Sequence, residues 1–277
     1  MVHPVNNESI FSLILLGIKR SSLGFVLEHP LELTKFLSQI NPSLSTRQVI
    51  KNHVQSKGLF GFTDAIMVNF PRRALKESVR WPVMAFTHNH LVKKFPKVFT
   101  KEDNKSKIIT AIFIASFNTL VLLPFEQLMA WRLKTEECYT SYLKKTVTEN
   151  GLLSLYPAAR INLIHQGILW ATYMTVNNEA KRKFDLFDKE KAHPYFRQAV
   201  ASIITAVCLI IFVSPVDFTK TWIQIDKDLQ KLKISSVVKT LKGRHGLMGF
   251  YAGTPSNFIH TVFHATLSGY ILDQILK

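Results

Sequence analysis

Three segments of the sequence place a carboxylate two residues after a proline, and two of them add a lysine three residues further on. The prolines are 94 and 91 residues apart. An acid and a base three residues apart share one face of a helix, where they can pair with each other or with neighbouring helices. The spacing therefore predicts reversible ion pairing. The residues are Pro30, Glu32 and Lys35, then Pro124 and Glu126, then Pro215, Asp217 and Lys220.

Each proline follows an apolar run, and it is expected to kink the helix because proline removes one backbone hydrogen bond. Residues 108–123 and 199–213 carry no charged side chain. Runs of this length in a basic chain are marginal membrane spans. A soluble core is the alternative, because each run is short for a span that stands alone.

Composition narrows the class of protein. The chain has 277 residues, 47% of them hydrophobic, and a formal charge of +16. This apolar content excludes disorder, and the charge indicates nucleic acid, or anionic lipid or substrate. The uncharged runs favour lipid and substrate over nucleic acid. Cys138 and Cys208 predict neither a disulfide framework nor a metal site. Residues 1–8 lack signal or transit features, so any targeting signal is expected to be internal.

Small and polar residues of the first segment recur at steps of three and four, which places them on one helix face. The remaining surface is aliphatic or aromatic, as in a membrane helix that is apolar towards lipid and polar inside. The segments around Pro124 and Pro215 repeat this layout. The first stripe consists of Gly17, Ser21, Gly24, Glu28, Glu32, Lys35 and Gln39.

A second motif recurs at the same period. After each signature come a polar linker, a short amphipathic helix, a glycine stop and an asparagine in the next helix. The asparagines are 93 and 95 residues apart. Two motifs in register predict one domain, 1–277, with repeats at 9–100, 101–190 and 191–277. The glycines are Gly58, Gly151 and Gly246, and the asparagines are Asn69, Asn162 and Asn257.

The threefold signature of proline, acid and base resembles that of the mitochondrial carrier family. The resemblance implies an all-α membrane protein with six transmembrane helices in three pseudo-symmetric repeats, each with a short matrix-side amphipathic helix. It also implies a monomer in the mitochondrial inner membrane that exchanges a small molecule by alternating access through a central cavity.

The sequence departs from the family's pattern at two levels. The second signature has Met129 where the family carries a base. The outer set of charged pairs is nearly absent, since the corresponding positions hold Ala85, His88, Asn178, Lys181 and Asp273.

The resemblance implies a gate of ion pairs between Glu126 and Lys220 and between Asp217 and Lys35. Glu32 would face Met129 without a partner, although Arg132 lies one turn further along. Two glutamines, Gln39 and Gln224, would brace the bridges. The alternative is a set of ordinary surface pairs at helix ends.

The second helix carries four basic residues, and a charge at mid-membrane costs about 2.5–3.5 kcal/mol. Such charges are expected to line a water-filled cavity rather than face lipid. The family's contact points correspond to Arg72, His165 and His260; packing between helices is the alternative role for the histidines. The predicted substrate-binding residues are Arg72, Arg73, Lys76, His165, Gln166, His260 and His264, with Arg80 and Tyr173 on the same faces.

Fixed cations predict an anionic substrate, since arginine binds phosphate or carboxylate through a fork of donors. The asparagine motifs resemble adenine nucleotide carriers and favour a nucleotide or another phosphorylated anion. The pair His165-Gln166 resembles keto-acid and carboxylate carriers and favours a carboxylate. Glu28 either takes a proton or pairs with a histidine, or it merely balances Lys19 or Arg20.

Other classes stay open. Met129 and the weak outer pairs are consistent with a degenerate carrier that serves as a receptor or scaffold, and a bacterial carrier-like protein delivered to host mitochondria is a further alternative. The sequence contains no recognisable catalytic motif, so it does not predict an enzyme. No cofactor is expected, apart from a structural cardiolipin near residues 251–253, where a helix begins.

Overall fold

The structure is a computed structural model that describes residues 10–95, 104–187 and 194–275. Within these ranges every regular element is helical. The predicted repeat boundaries near residues 100 and 190 lie outside the described residues. The helices are α1 (Ile10–Ile40), α2 (Thr46–Lys57), α3 (Ile66–Lys94), α4 (Asn104–Thr135), α5 (Tyr139–Asn150), α6 (Ala159–Phe187), α7 (Pro194–Ile225), α8 (Lys227–Gln230), α9 (Ile234–Gly249) and α10 (Thr254–Ile275).

Among the described residues, three helical segments are long and apolar enough to cross a membrane. They are Ile10–Ile40, Ala111–Thr135 and Phe196–Ile225, with mean hydropathies of 1.7, 1.5 and 2.5. Their outer faces expose large apolar side chains, such as Val26 at 73% and Leu120 at 68%. The all-helical membrane class is therefore supported, while α3, α6 and α10 as further spans stay a prediction.

The six long helices of the described chain form a ring. Contacts run in chain order from α1 to α3, α4, α6, α7 and α10, and α10 returns to α1. The polar stripe of α1 faces inward, because Gly17, Ser21, Gly24 and Glu28 are all buried. The ring thus places polar side chains of several helices in a common interior.

The three prolines lie inside α1, α4 and α7, and the helices continue through them. Two threonines reinforce the backbone next to the prolines. Thr34 donates a hydrogen bond of 2.8 Å to the carbonyl of Pro30, and Thr219 makes the equivalent bond to Pro215, also 2.8 Å. In α1 and α7 this bond lies next to the ion-pairing residues.

The predicted short helices and glycine stops are present. Helix α2 begins at Ser45, which forms a capping box with Gln48. Gly58, Gly151 and Gly246 have backbone φ values of 65°, 75° and 67°. Residues other than glycine rarely adopt such values. Gly246 breaks α9 internally. Each glycine thereby ends a short helix and redirects the chain towards the next long one.

The outer set of charged pairs, which the sequence predicts to be nearly absent, falls mostly on side chains that are not described. The side chains of residues 85, 88, 178 and 273 lie outside the part that the structure describes. Two ion pairs near that end are described: Arg197 of α7 lies 2.8 Å from Asp185 of α6, and Arg182 lies 2.6 Å from Glu179 within α6.

Candidate gate and binding site

Two ion pairs join the proline-containing helices just beyond their prolines. Lys35 Nζ of α1 lies 2.7 Å from Asp217 Oδ2 of α7, and Lys220 Nζ of α7 lies 3.2 Å from Glu126 Oε2 of α4. All four side chains are at least three-quarters buried, which excludes ordinary surface pairs. These are the contacts that the signatures predict, and their role as a gate stays a prediction.

Glu32 has partners that the sequence analysis did not anticipate, so the prediction of an unpaired carboxylate was wrong. Arg72 of α3 forms an ion pair with Glu32, and Arg73 Nε lies 3.0 Å from Glu32 Oε2. Arg132 does not compensate, because its guanidinium donates to the backbone carbonyls of the loop after α4. Helix α3 packs against both α1 and α4, and this packing places its arginines within contact distance of Glu32.

Arg72 has further polar contacts within the protein. Its Nη1 lies 3.4 Å from Glu126 Oε1, and its Nε and Nη2 donate to Asn69 Oδ1 at 3.0 and 2.7 Å. The Arg72 guanidinium therefore connects the acids of α1 and α4.

Only one of the two expected braces is made among the described residues. Gln39 Nε2 donates to Asp217 Oδ2 at 2.7 Å, and its Oε1 accepts from Thr221 at 2.7 Å. Gln224 was predicted to act in the same way, but its side-chain nitrogen is buried without a hydrogen-bond partner. Its backbone carbonyl instead accepts from Gln127 at 2.9 Å. The prediction for Gln224 is thus corrected: it contacts the chain through its backbone.

The gate residues surround a common cleft that is partly open to solvent. The remaining predicted substrate residues, Arg73, Lys76, His165, Gln166, His260 and His264, are not on its lining. The lining comprises Glu32, Lys35, Phe36, Gln39, Arg72, Glu126, Met129, Asp217, Lys220, Thr221 and Gln224.

A second polar cluster surrounds Glu28, which is fully buried. Arg20 Nη2 lies 2.5 Å from Glu28 Oε1, and Arg73 forms an ion pair with Oε2. His264 Nδ1 is 3.3 Å from Glu28, and His260 Nε2 is 2.7 Å from Arg73 Nη2. Glu28 thus both balances Arg20 and contacts a histidine, so two of the sequence alternatives hold together.

The atoms of Glu28, His260 and His264 are close enough to hold a metal, since they lie within 4.8 Å of one another. The surrounding charge opposes it. The guanidinium groups of Arg20 and Arg73 already bind the Glu28 oxygens and contact the histidine nitrogens. A cation would have to displace two cations. The cluster therefore fits an internal ion-pair network and does not fit a metal.

The predicted contacts on α6 also have internal partners. His165 Nε2 lies 3.1 Å from Asp217 Oδ1, so this histidine belongs to the gate cluster. Gln166 Oε1 accepts from Asn118 Nδ2 at 3.3 Å. Both side chains are buried, which favours packing between helices over direct substrate contact.

Sequence analysis missed Glu77, which is buried in α3 and pairs with Arg80 at 3.2 Å. The guanidinium carbon of Arg80 also lies 4.6 Å from the Trp170 ring centroid, a cation–π arrangement. The spacing of three residues between Glu77 and Arg80 is the signal that could have indicated this pair.

Lys76 differs from these cations, because it has no hydrogen bond or ion pair with any residue that the structure describes. The side chain is partly buried on α3, between the paired arginines. Among the described side chains of these two clusters and their neighbours on α3, seven are basic and five are carboxylates, which gives a net charge of +2 with neutral histidines. They are Arg20, Lys35, Arg72, Arg73, Lys76, Arg80 and Lys220, and Glu28, Glu32, Glu77, Glu126 and Asp217.

The comparison with known protein families concerns the C-terminal third of the chain. A family model described as mitochondrial carrier protein matches residues 191–277, which include Asp217 and Lys220. This match supports membership of the mitochondrial carrier family. Carriers of this family are transporters rather than enzymes, which indicates a small-molecule substrate and a mitochondrial membrane. A comparison with curated proteins gives no match.

Proposed function

We propose that this carrier exchanges an anionic metabolite, a nucleotide or another phosphorylated anion, across the mitochondrial inner membrane by alternating access, and that it acts as a monomer. The observation that carries the proposal is Lys76, a partly buried cation without a partner among the described residues, in an interior with two excess positive charges. A buried charge without a partner is costly, and a bound anion relieves that cost.

The ion pairs of α1, α4 and α7 support alternating access. They hold the second halves of these helices together beyond the proline kinks, so the transition to the other state must break them. Each partly buried pair contributes about 1–3 kcal/mol to the closed state. A substrate can shift the equilibrium only by its difference in affinity for the two states. The binding free energy of a small charged ligand is large enough to break ion pairs of this strength.

Phosphate is favoured over carboxylate by the partners of the two candidate motifs. The pair His165-Gln166 supported a carboxylate, but both side chains are engaged with Asp217 and Asn118. Lys76 and Arg72 are on α3, the helix whose asparagine motif resembles nucleotide carriers. Lysine binds phosphate as a point charge and arginine as a fork. The carboxylate alternative therefore has the weaker support.

The test is exchange of radiolabelled solutes by purified protein in liposomes preloaded with nucleotides, phosphate, dicarboxylates and tricarboxylates. Lys76→Ala is compared with Lys239→Ala, a matched loss of one exposed positive charge on α9. We expect nucleotide or phosphate exchange that Lys76→Ala lowers at least tenfold and Lys239→Ala leaves unchanged. Carboxylate exchange with the same mutant pattern would keep the mechanism and overturn the substrate.

A second candidate, a carrier-like receptor or scaffold that no longer transports, draws on the near-complete pairing of the other interior charges. A continuous network from Arg20 to Lys35 would hold a single conformation. Folded protein that exchanges no panel member, with equal behaviour of Lys76→Ala and Lys239→Ala, would favour this candidate. In either case we propose no cofactor and a cardiolipin headgroup near residues 251–253, at the start of α10.

A further inference from the structure

We infer that Arg72 supplies the cation that the gate lacks at residue 129, and that it does so from a different helix. Two pairs connect α1 with α7 and α4 with α7. The third connection, between α1 and α4, lacks its base: Lys35 of α1 is paired with Asp217 of α7, and Met129 stands one turn after Glu126 on α4. Arg72 of α3 closes this gap by contacting Glu32 of α1 and Glu126 of α4.

Neighbouring side chains fix the position of the Arg72 guanidinium. Asn69, fully buried one turn earlier, accepts two hydrogen bonds from Arg72 through Oδ1. Its Nδ2 donates to Glu32 Oε2 at 3.1 Å and to His29 Nδ1 at 2.7 Å. His29 Nε2 in turn donates to the carbonyl of Asp64 at 3.1 Å. A side chain held by such a chain of bonds has a fixed position before any ligand arrives.

Met129 is packed as an apolar residue and is not a free position. Its side chain is 7% exposed and belongs to a cluster with Phe36, Val68 and Ile225. It also lies on the wall of the cleft that Glu32, Glu126 and Arg72 share. A cation at residue 129 would therefore meet the same two carboxylates and would compete with Arg72 for them. The apolar side chain of Met129 therefore leaves both carboxylates to Arg72.

The arrangement has a consequence for coupling, which rests on the proposed function. An anion that binds Arg72 must take it from Glu32 and Glu126, so binding itself weakens the connection between α1 and α4. In a gate with the base on α4, substrate binding and gate opening would involve different side chains. Here one guanidinium serves both, and Arg72 is a positioning residue for the closed state as well as a ligand.

The test is a double-mutant cycle on Arg72→Gln and Met129→Lys, read as the thermal midpoint of purified protein in detergent without substrate. Arg72→Gln is expected to lower the midpoint by about 4 °C or more, as for the loss of a buried ion pair. Met129→Lys alone should also lower it, since the added cation would share two acids that Arg72, Arg73 and Lys220 already contact. In the Arg72→Gln background, the same Met129→Lys should raise the midpoint. This reversal of sign is the expected result.

Equal effects of Met129→Lys in both backgrounds would overturn the inference, because residue 129 would then not replace Arg72. If Arg72→Gln fails to fold, Arg72→Lys gives a second cycle, since lysine keeps the charge and loses the fork. Met129→Lys should then lower the midpoint less in the Arg72→Lys background than in the wild type, and an equal or larger loss would contradict us. The cycle uses no substrate, so it stands or falls separately from the exchange assay.

Discussion

The hydroxyl of Tyr156 donates a hydrogen bond of 2.9 Å to the backbone carbonyl of Leu120. This carbonyl lies four residues before Pro124, and it is the one that the proline leaves without a helical partner. Tyr156 belongs to the segment between α5 and α6, so this segment supplies a hydrogen-bond donor to the carbonyl that Pro124 leaves unpaired in α4. A kink in a membrane helix is tolerated where a neighbouring group covers the freed carbonyl.

Tyr156→Phe is expected to lower the free energy of unfolding by about 0.5–1.5 kcal/mol, the usual net value of one hydrogen bond. The thermal midpoint in detergent measures the loss. Tyr251→Phe is the matched control, since its hydroxyl has no hydrogen-bond partner in the part of the chain that is described. Equal midpoints for the two variants would show that the Leu120 carbonyl does not depend on Tyr156.

Gln39 and Gln224 provide a second matched comparison, because only Gln39 uses its side chain. Gln39→Ala removes a hydrogen bond to the Asp217 carboxylate and one to Thr221. We expect the free energy of unfolding to fall by about 2–4 kcal/mol. Gln224→Ala should cost much less, since its buried side-chain nitrogen is unpaired. The two variants are compared by thermal unfolding in detergent. A larger loss for Gln224→Ala would contradict the assignment of the brace to α1.

The sequence predicted much of this interior, because helical spacing fixes which residues share a face. The pairs of Lys35 with Asp217 and of Glu126 with Lys220 were implied by the family resemblance, since spacing within one helix does not identify a partner on another. The contacts of Arg72 were not implied. They depend on how closely α3 approaches α1 and α4, which is a matter of packing between helices and has no signature within one helix. The same holds for Gln224, because its brace was predicted and its side-chain nitrogen has no hydrogen-bond partner among the described residues.

Close approach of α1 and α3 is visible at Gly17. A Cβ at this position would collide with the backbone carbonyl of Glu77, a rigid neighbour. Gly17→Ala should therefore separate the helices, lower the free energy of unfolding by about 1–3 kcal/mol and disturb the ion pairs between them. Gly243 of α9 has open space around its Cβ position.

Gly243→Ala is expected to raise the free energy of unfolding by up to about 1 kcal/mol, because alanine favours helix over glycine. The two glycines should thus respond with opposite signs to the same substitution. Chemical or thermal unfolding of both variants in one detergent measures the difference. A stabilising Gly17→Ala would mean that α1 and α3 are further apart than the structure has them.

Asp226 connects the end of α7 to the segment that follows. Its carboxylate caps α8 by accepting from the backbone N–H of Asp228 at 3.0 Å, and it binds Arg244 of α9 at 2.9 Å. Partial burial raises the pKa of Asp226, but the Arg244 hydrogen bond and the backbone donors outweigh it, and the net pKa lies below the ordinary value. The folded state therefore favours the charged carboxylate.

A lowered folded pKa means that the contribution to stability is complete above the unfolded pKa, about 3.9 for aspartate. It is lost as the pH falls towards the folded pKa. Asp226→Asn keeps the cap and removes the charge, so the wild type should lose stability relative to this variant as the pH is lowered from about 5 to 3. Asp226→Ala should cost about 0.5–2 kcal/mol at neutral pH through the lost cap. Thermal midpoints across this pH range decide the matter: parallel curves for wild type and Asp226→Asn would show that the carboxylate of Asp226 gains nothing from Arg244 in the folded protein.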